Sequence, residues 1–190
     1  VLGAPLARAL RSAREDAKSA AVELSFRAPH EALWVIPRPG QRVTVIWCLD
    51  LAERMDRAIA RIVCQEMVEN QRRVTGSPSV HFTDSSASEP PQELRGRPVP
   101  KGPGHVGFLS FSLEKRHVDD DKKLRQAVAT LTMLRAYLTY HIKAAKSYLH
   151  TRMRKRVAEL LLVLNRAKPD DPLAKKAKKT MSGKTFTRKI

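Results

Sequence analysis

The sequence predicts an α+β fold: an antiparallel sheet packed with helices, followed by one very long C-terminal α-helix and a basic tail. Three observations carry that prediction. Apolar residues alternate with polar ones in short runs joined by turn residues. A helical apolar pattern then runs unbroken from about Asp119 to about Ala167. The strands come in groups rather than one by one between helices, which excludes a parallel, strand–helix–strand sheet.

The elements follow in order. Leu2, Leu6, Ala9, Leu10 and Ala13 repeat at helical spacing, so residues 2–18 read as an amphipathic helix. Val22, Leu24 and Phe26 then alternate with Glu23, Ser25 and Arg27 until Pro29 and His30 break the run. A more apolar strand covers Ala32–Ile36, and Pro37 to Gly40 reads as a turn, proline fixing φ and glycine permitting φ > 0. Val43, Val45, Trp47 and Leu49 define the third strand of a meander. Asp50 with Glu53 three residues on has the form of a capping box. It would open a helix that carries Leu51, Met55, Ile59, Ile62, Val63 and Met67 on one side and runs to about Arg73. Gly76 and Pro78 stop it. Val80 and Phe82 mark a fourth strand, and Leu109, Phe111 and Leu113 a fifth. Between these two, residues 84–104 read as a Ser- and Pro-rich loop too polar to pack. The expected organisation is an α/β domain over 1–113, a long helix over 119–167 and a basic tail over 168–190.

The long helix is the unusual feature. Roughly 48 residues at 1.5 Å each make a helix about 70 Å long. Two apolar series step along it by eleven residues: Leu131, Ile142, Met153, Leu164, and Ala127, Leu138, Leu149, Leu160. Eleven residues in three turns is about 3.67 per turn, close to a straight helix and unlike the 3.5 of a heptad coiled coil. This favours docking on a sheet and a straight partner helix over a zipper. A five-strand sheet is about 25 Å across at ~4.8 Å per strand, less than half the helix. The remaining apolar stripe needs a partner, because bare in water it would aggregate. The opposite face carries Lys143, Ser147, His150, Thr151, Arg154 and Lys155.

Charge points the same way. The chain has 36 Lys and Arg against 19 Asp and Glu, a net charge of +17. Between Arg152 and Ile190 stand 13 basic and 3 acidic residues, so +10 of that charge lies in the last 39 positions. An acidic partner is implied for this end: nucleic acid, an anionic membrane or an acidic protein surface, set against a merely solvated tail.

Other chemistries find little support. Ser182-Gly-Lys-Thr185 imitates the end of a phosphate loop, but Lys178 stands where the motif needs glycine. His30, His81, His105, His117, His141 and His150 show no ligand spacing with Cys or carboxylates. No Ser elbow, CxxC or glycine-rich dinucleotide turn occurs, so no enzyme and no cofactor are expected. Tyr137, Tyr140 and Tyr148 read as interface residues before base-stacking ones. Cys48 and Cys64 sit in apolar patterns and read as buried free thiols, which suits a reducing compartment. No window has the length and apolarity of a membrane span. The chain opens at Val1 without Met, as a fragment of a longer protein would.

Ala136-Tyr-Leu-Thr-Tyr-His-Ile-Lys143 and Lys146-Ser-Tyr-Leu-His-Thr-Arg-Met-Arg154 closely resemble the subunit 2 family of the actin-related protein 2/3 complex. So do Leu164-Asn-Arg-Ala-Lys-Pro-Asp170, Thr180-Met-Ser-Gly-Lys-Thr-Phe186, and the strand Val106–Leu113 with Arg116-His117. The resemblance is specific from about Gly104 to Phe186; before Glu93 mainly the element order and apolar positions correspond. It implies the second of the family's two similar α/β domains with its C-terminal helix, and a non-enzymatic role. Pairing with subunit 4 would form the scaffold of the assembly and hold it, with its other subunits, on the side of an actin filament during branched nucleation. The implied location is the cytoplasm and actin cytoskeleton, at the cell cortex, actin patches or projections. Carried to this sequence, Leu131, Leu138, Ile142, Leu149, Met153 and Leu160 serve the sheet and subunit 4 contacts. Arg152, Arg154, Lys155, Lys175, Lys176, Lys184 and Arg188 serve filament actin.

The alternative is a basic nucleic-acid-binding α+β module, whose electrostatics the Arg152–Arg156 cluster and the tail would satisfy. The strands lack the exposed aromatic pattern of an RNA-reading sheet, so no specific nucleic acid is expected. Weak attraction to anionic lipid through the tail, at about 1 kcal/mol per basic residue near the surface, is a third reading.

Overall fold

A computed structural model describes residues 2–15, 20–27, 30–38, 42–86, 89–99, 102–167, 178–179 and 185–186. Helix α1 (Gly3–Glu15) leads to strands β1 (Val22–Arg27), β2 (Glu31–Arg38) and β3 (Arg42–Asp50). Helix α2 (Arg54–Gln71), strands β4 (Ser79–Asp84) and β5 (His105–Leu113), a short helix α3 (Lys115–Val118) and the long helix α4 (Asp121–Arg166) follow. A minimal pair, β6 (Lys178–Lys179) and β7 (Thr185–Phe186), comes last. Two units divide the chain, Val1–Tyr148 and Leu149–Ile190.

In the first unit the five strands form one antiparallel sheet in the order β1-β2-β3-β5-β4. Strand pairing sets the two faces. Leu33 lies opposite Trp47 and Trp34 opposite Ile46, so the tryptophans look to opposite sides of the sheet. Trp47, Val45, Leu109 and Phe111 join Leu6 and Leu10 of α1, Ile59 and Cys64 of α2, and the apolar side of α4 in the main core. Trp34, Ile46, Cys48 and Phe108 form a smaller core on the other face, closed by Leu94.

That closure corrects the reading of residues 84–104 as too polar to pack. A 3-10 turn at Gln92–Leu94 drives Leu94 to full burial, and Arg38 Nη2 holds Glu93 Oε1 at 2.6 Å. Two apolar residues of a polar loop, buried Leu94 and half-buried Val99, suffice, because the sheet offers a second greasy face. For the same reason β2 and β3 read as near-continuous buried strands rather than alternating ones.

Three local expectations are also corrected. Asp50 ends β3, and α2 opens after Glu53 with no side-chain cap, so the Asp50–Glu53 capping box does not form. Glu114 and His117 make one instead at α3: the Glu114 backbone N–H donates to His117 Nδ1 at 2.9 Å. The buried side of α2 is Ile59, Ala60 and Cys64, flanked by Val63, Met67 and Val68, which leaves Met55 and Ile62 exposed. Finally, Pro37 does not open a turn but lies inside β2, which continues to Arg38; residues 39–41 lie outside those described.

Cys48 and Cys64 are buried thiols, neither of them in a disulfide. Burial pushes both up to about 12, with the charges of Asp50 and Glu31 adding to the effect at Cys48.

Candidate partner interface on the long helix

Helix α4 is opened by Asp120, whose Oδ1 accepts the Lys123 backbone N–H at 2.7 Å. In the first unit it buries Leu124, Leu131, Leu134, Leu138 and Ile142, with Ala127, Val128 and Ala145 half-buried beside them. Charged contacts fasten the same stretch. Arg135 Nη2 lies 2.7 Å from Glu31 Oε1, and Lys146 Nζ lies 2.9 Å from Asp56 Oδ1 and also meets Glu53. Arg14 of α1 reaches Asp121 at 3.6 Å. Tyr137 and Tyr140 are exposed, and each ring contacts His141, at 4.2 and 5.4 Å between centroids.

In the second unit the helix is built otherwise. Every residue from 149 to 167 is exposed. Leu149, Met153, Val157, Leu160 and Leu164 follow one another at helical spacing, and Leu161, Leu162 and Val163 fill the gaps. These eight apolar side chains keep 44–60% of their surface in solvent. Arg152, Arg154, Lys155 and Arg156 precede the most apolar turn. Apolar surface of this extent, rimmed by charge, is the mark of an interaction site.

The sequence-named residues therefore fall into three groups. Leu131, Leu138 and Ile142 are buried in the chain's own core, whereas Leu149, Met153 and Leu160 are exposed. Arg152, Arg154 and Lys155 are exposed on α4, while Lys175, Lys176, Lys184 and Arg188 lie outside the described residues. Leu124 and Leu134 join the core without having been singled out. The seven-residue step of Leu124, Leu131 and Leu138 would have found the first of them. Val157, Leu161, Leu162 and Val163 were missed because they lie off the eleven-residue series; the unbroken run Leu160–Leu164 was the available signal.

Among the described residues no group of three or more His, Cys, Asp or Glu could hold a metal ion. None of the helices described is long and apolar enough to cross a membrane.

The class of the chain is an α+β domain ending in a long helix, one stretch of which is buried on the sheet of the first unit and the next of which is apolar and exposed, as in subunits of larger assemblies. The family described as Arp2/3 complex, 34 kD subunit p34-Arc, matches residues 3–171, and the chain belongs to that family. It is similar to actin-related protein 2/3 complex subunit 2 of Dictyostelium discoideum, 37% identical over 166 residues, which are 87% of this chain and 53% of that protein. Its similarity to actin-related protein 2/3 complex subunit 2 of Schizosaccharomyces pombe is 39% identity over 150 residues, 77% of this chain and 45% of that protein. The chain thus spans about half the length of the curated relatives it matches.

Proposed function

We propose that this chain is a non-enzymatic, structural subunit of an actin-related protein 2/3 complex. In it, α4 pairs with subunit 4 to form the scaffold, and the basic flank contacts the actin filament during branched nucleation. On this reading, residues 1–113 are the sheet domain, 119–167 the pairing helix and 168–190 a basic arm, working at the actin cytoskeleton. One observation carries the proposal: eight apolar side chains of α4, Leu149 to Leu164, remain in solvent. Covering them would contribute on the order of 10 kcal/mol before entropy. Family membership supports the identity of the partner assembly. The alternative of an RNA-reading sheet is disfavoured because Trp34, Trp47, Phe108 and Phe111 are buried and offer no stacking platform.

The test is affinity purification of the tagged chain. The expected result is co-elution with actin-related subunits at equal stoichiometry, lost with Leu160→Asp and Leu164→Asp together. Co-purifying RNA without those subunits overturns the proposal. Combined charge reversal of Arg154, Lys155 and Lys184 is expected to weaken filament co-sedimentation while the complex stays intact, since rim charges act mainly on association rate and salt dependence.

A further inference from the structure

Leu160, Leu161, Leu162, Val163 and Leu164 are consecutive, helical and 51–60% exposed. At about 100° per residue, five consecutive positions point to every side of a helix. Over this turn α4 therefore has no polar face to leave in water, unlike the preceding turns, where Arg154 and Lys155 share the circumference with Met153 and Val157. A single partner helix lying along one stripe covers one side only. Charge brackets the apolar turn: Arg156 and Glu159 before it and Arg166 after it are exposed, a net positive surround.

We propose that the Leu160–Leu164 turn of α4 is enclosed on all sides in an apolar socket. The socket is built by at least two elements of a partner protein, and acidic side chains on its rim face Arg156 and Arg166. The proposal rests on the reading of the chain as an assembly subunit and adds the shape and charge of the partner's surface. Other occupants fit less well. A bilayer that received this turn would take in Glu159 or Arg166 with it, at high cost. A helix lying flat on a membrane needs a polar face, which this turn lacks. A second copy in antiparallel register about Leu161 would set Arg156 against the other copy's Arg166, and a parallel copy would set each arginine against itself.

The experiment places single glutamines around the turn of the full chain in cells: Leu160→Gln, Leu162→Gln, Val163→Gln and Leu164→Gln. Glutamine keeps good helix propensity, so the helix itself survives. Each variant competes against tagged parent for incorporation into the purified complex. Enclosure predicts that all four lose about tenfold or more, because a socket leaves each amide unpaired wherever it points. Normal incorporation of Leu162→Gln, which points about 160–200° away from Leu160 and Leu164, with loss for Leu160→Gln and Leu164→Gln, overturns enclosure and leaves a one-sided subunit contact standing. A parent chain that joins no complex overturns both. Arg156→Glu with Arg166→Glu is expected to lower incorporation most at low salt; an unchanged level overturns the acidic rim. Flotation of the parent with phosphatidylserine vesicles that is lost in Leu162→Gln, or self-association with the same loss, overturns the protein socket.

Discussion

Arg135 of α4 and Glu31 at the start of β2 form a part-buried ion pair, Nη2 to Oε1 at 2.7 Å and Nε to Oε2 at 3.3 Å. The side chains are 19% and 5% exposed. Thr139 helps to hold the guanidinium, accepting from Arg135 Nη1 at 3.2 Å while donating to the Arg135 carbonyl at 2.8 Å. The pair joins the long helix to a strand far away in sequence, within the stretch that the sheet covers.

Breaking that pair from one side leaves the Arg135 charge unpaired where little water reaches it. Glu31→Ala is expected to cost about 3 kcal/mol, whereas Glu31→Leu with Arg135→Met costs far less, since the cost lies mainly in desolvation. Urea midpoints of the two variants measure the difference. Equal losses would mean that water reaches the pair freely.

Leu94 closes the second face of the sheet over Trp34, Ile46 and Phe108. Leu94→Ala is expected to cost 2–4 kcal/mol (order of magnitude, roughly the range for a buried leucine), with increased Trp34 quenching by acrylamide. A surface loop that merely crossed the sheet would lose almost nothing.

Gly107 of β5 holds φ at +151°, and a Cβ there would collide with the Thr83 carbonyl oxygen of β4. Gly107→Ala is expected to lower stability by about 1–3 kcal/mol and to loosen the β4–β5 pairing, read as faster amide exchange over residues 79–84. An unchanged midpoint contradicts the close approach.

The thiols set a pH limit. Cys48 and Cys64 are pushed up from an ordinary 9.0 to about 12 by burial. The folded chain then holds these protons more tightly than the unfolded one. Their contribution to stability is complete below about pH 9 and falls as pH rises from 9 toward 12. Stability measured across pH 8–11 is expected to drop through this window, and less steeply with Cys64→Ala relative to its own value at pH 8. Thiol reagents at pH 8 should label both cysteines only on unfolding.

Much of the fold was legible because its signals are local. Period-two runs marked β1, β3 and β5, and the length of the apolar pattern marked α4. What stayed hidden depends on who faces whom. Nothing near Leu94 announces that a second sheet face awaits it, and the Asp50–Glu53 spacing suits a cap although β3 keeps Asp50 in its ladder. Ile62 looked like core because Val63 beside it is apolar too, and only the position of the sheet chooses between them. The eleven-residue series found Leu149, Met153 and Leu160, yet following one stripe concealed the all-round apolar turn that ends the helix.

The central claim is that a partner chain covers the end of α4. Hydrogen–deuterium exchange of the 149–166 amides, compared between the free chain and the purified complex, tests it most directly. An uncovered helix end opens readily and exchanges fast, so strong protection on assembly is expected there, with little change over residues 124–142, which the sheet already shelters. Equal exchange of 149–166 in both samples would contradict a covered helix end.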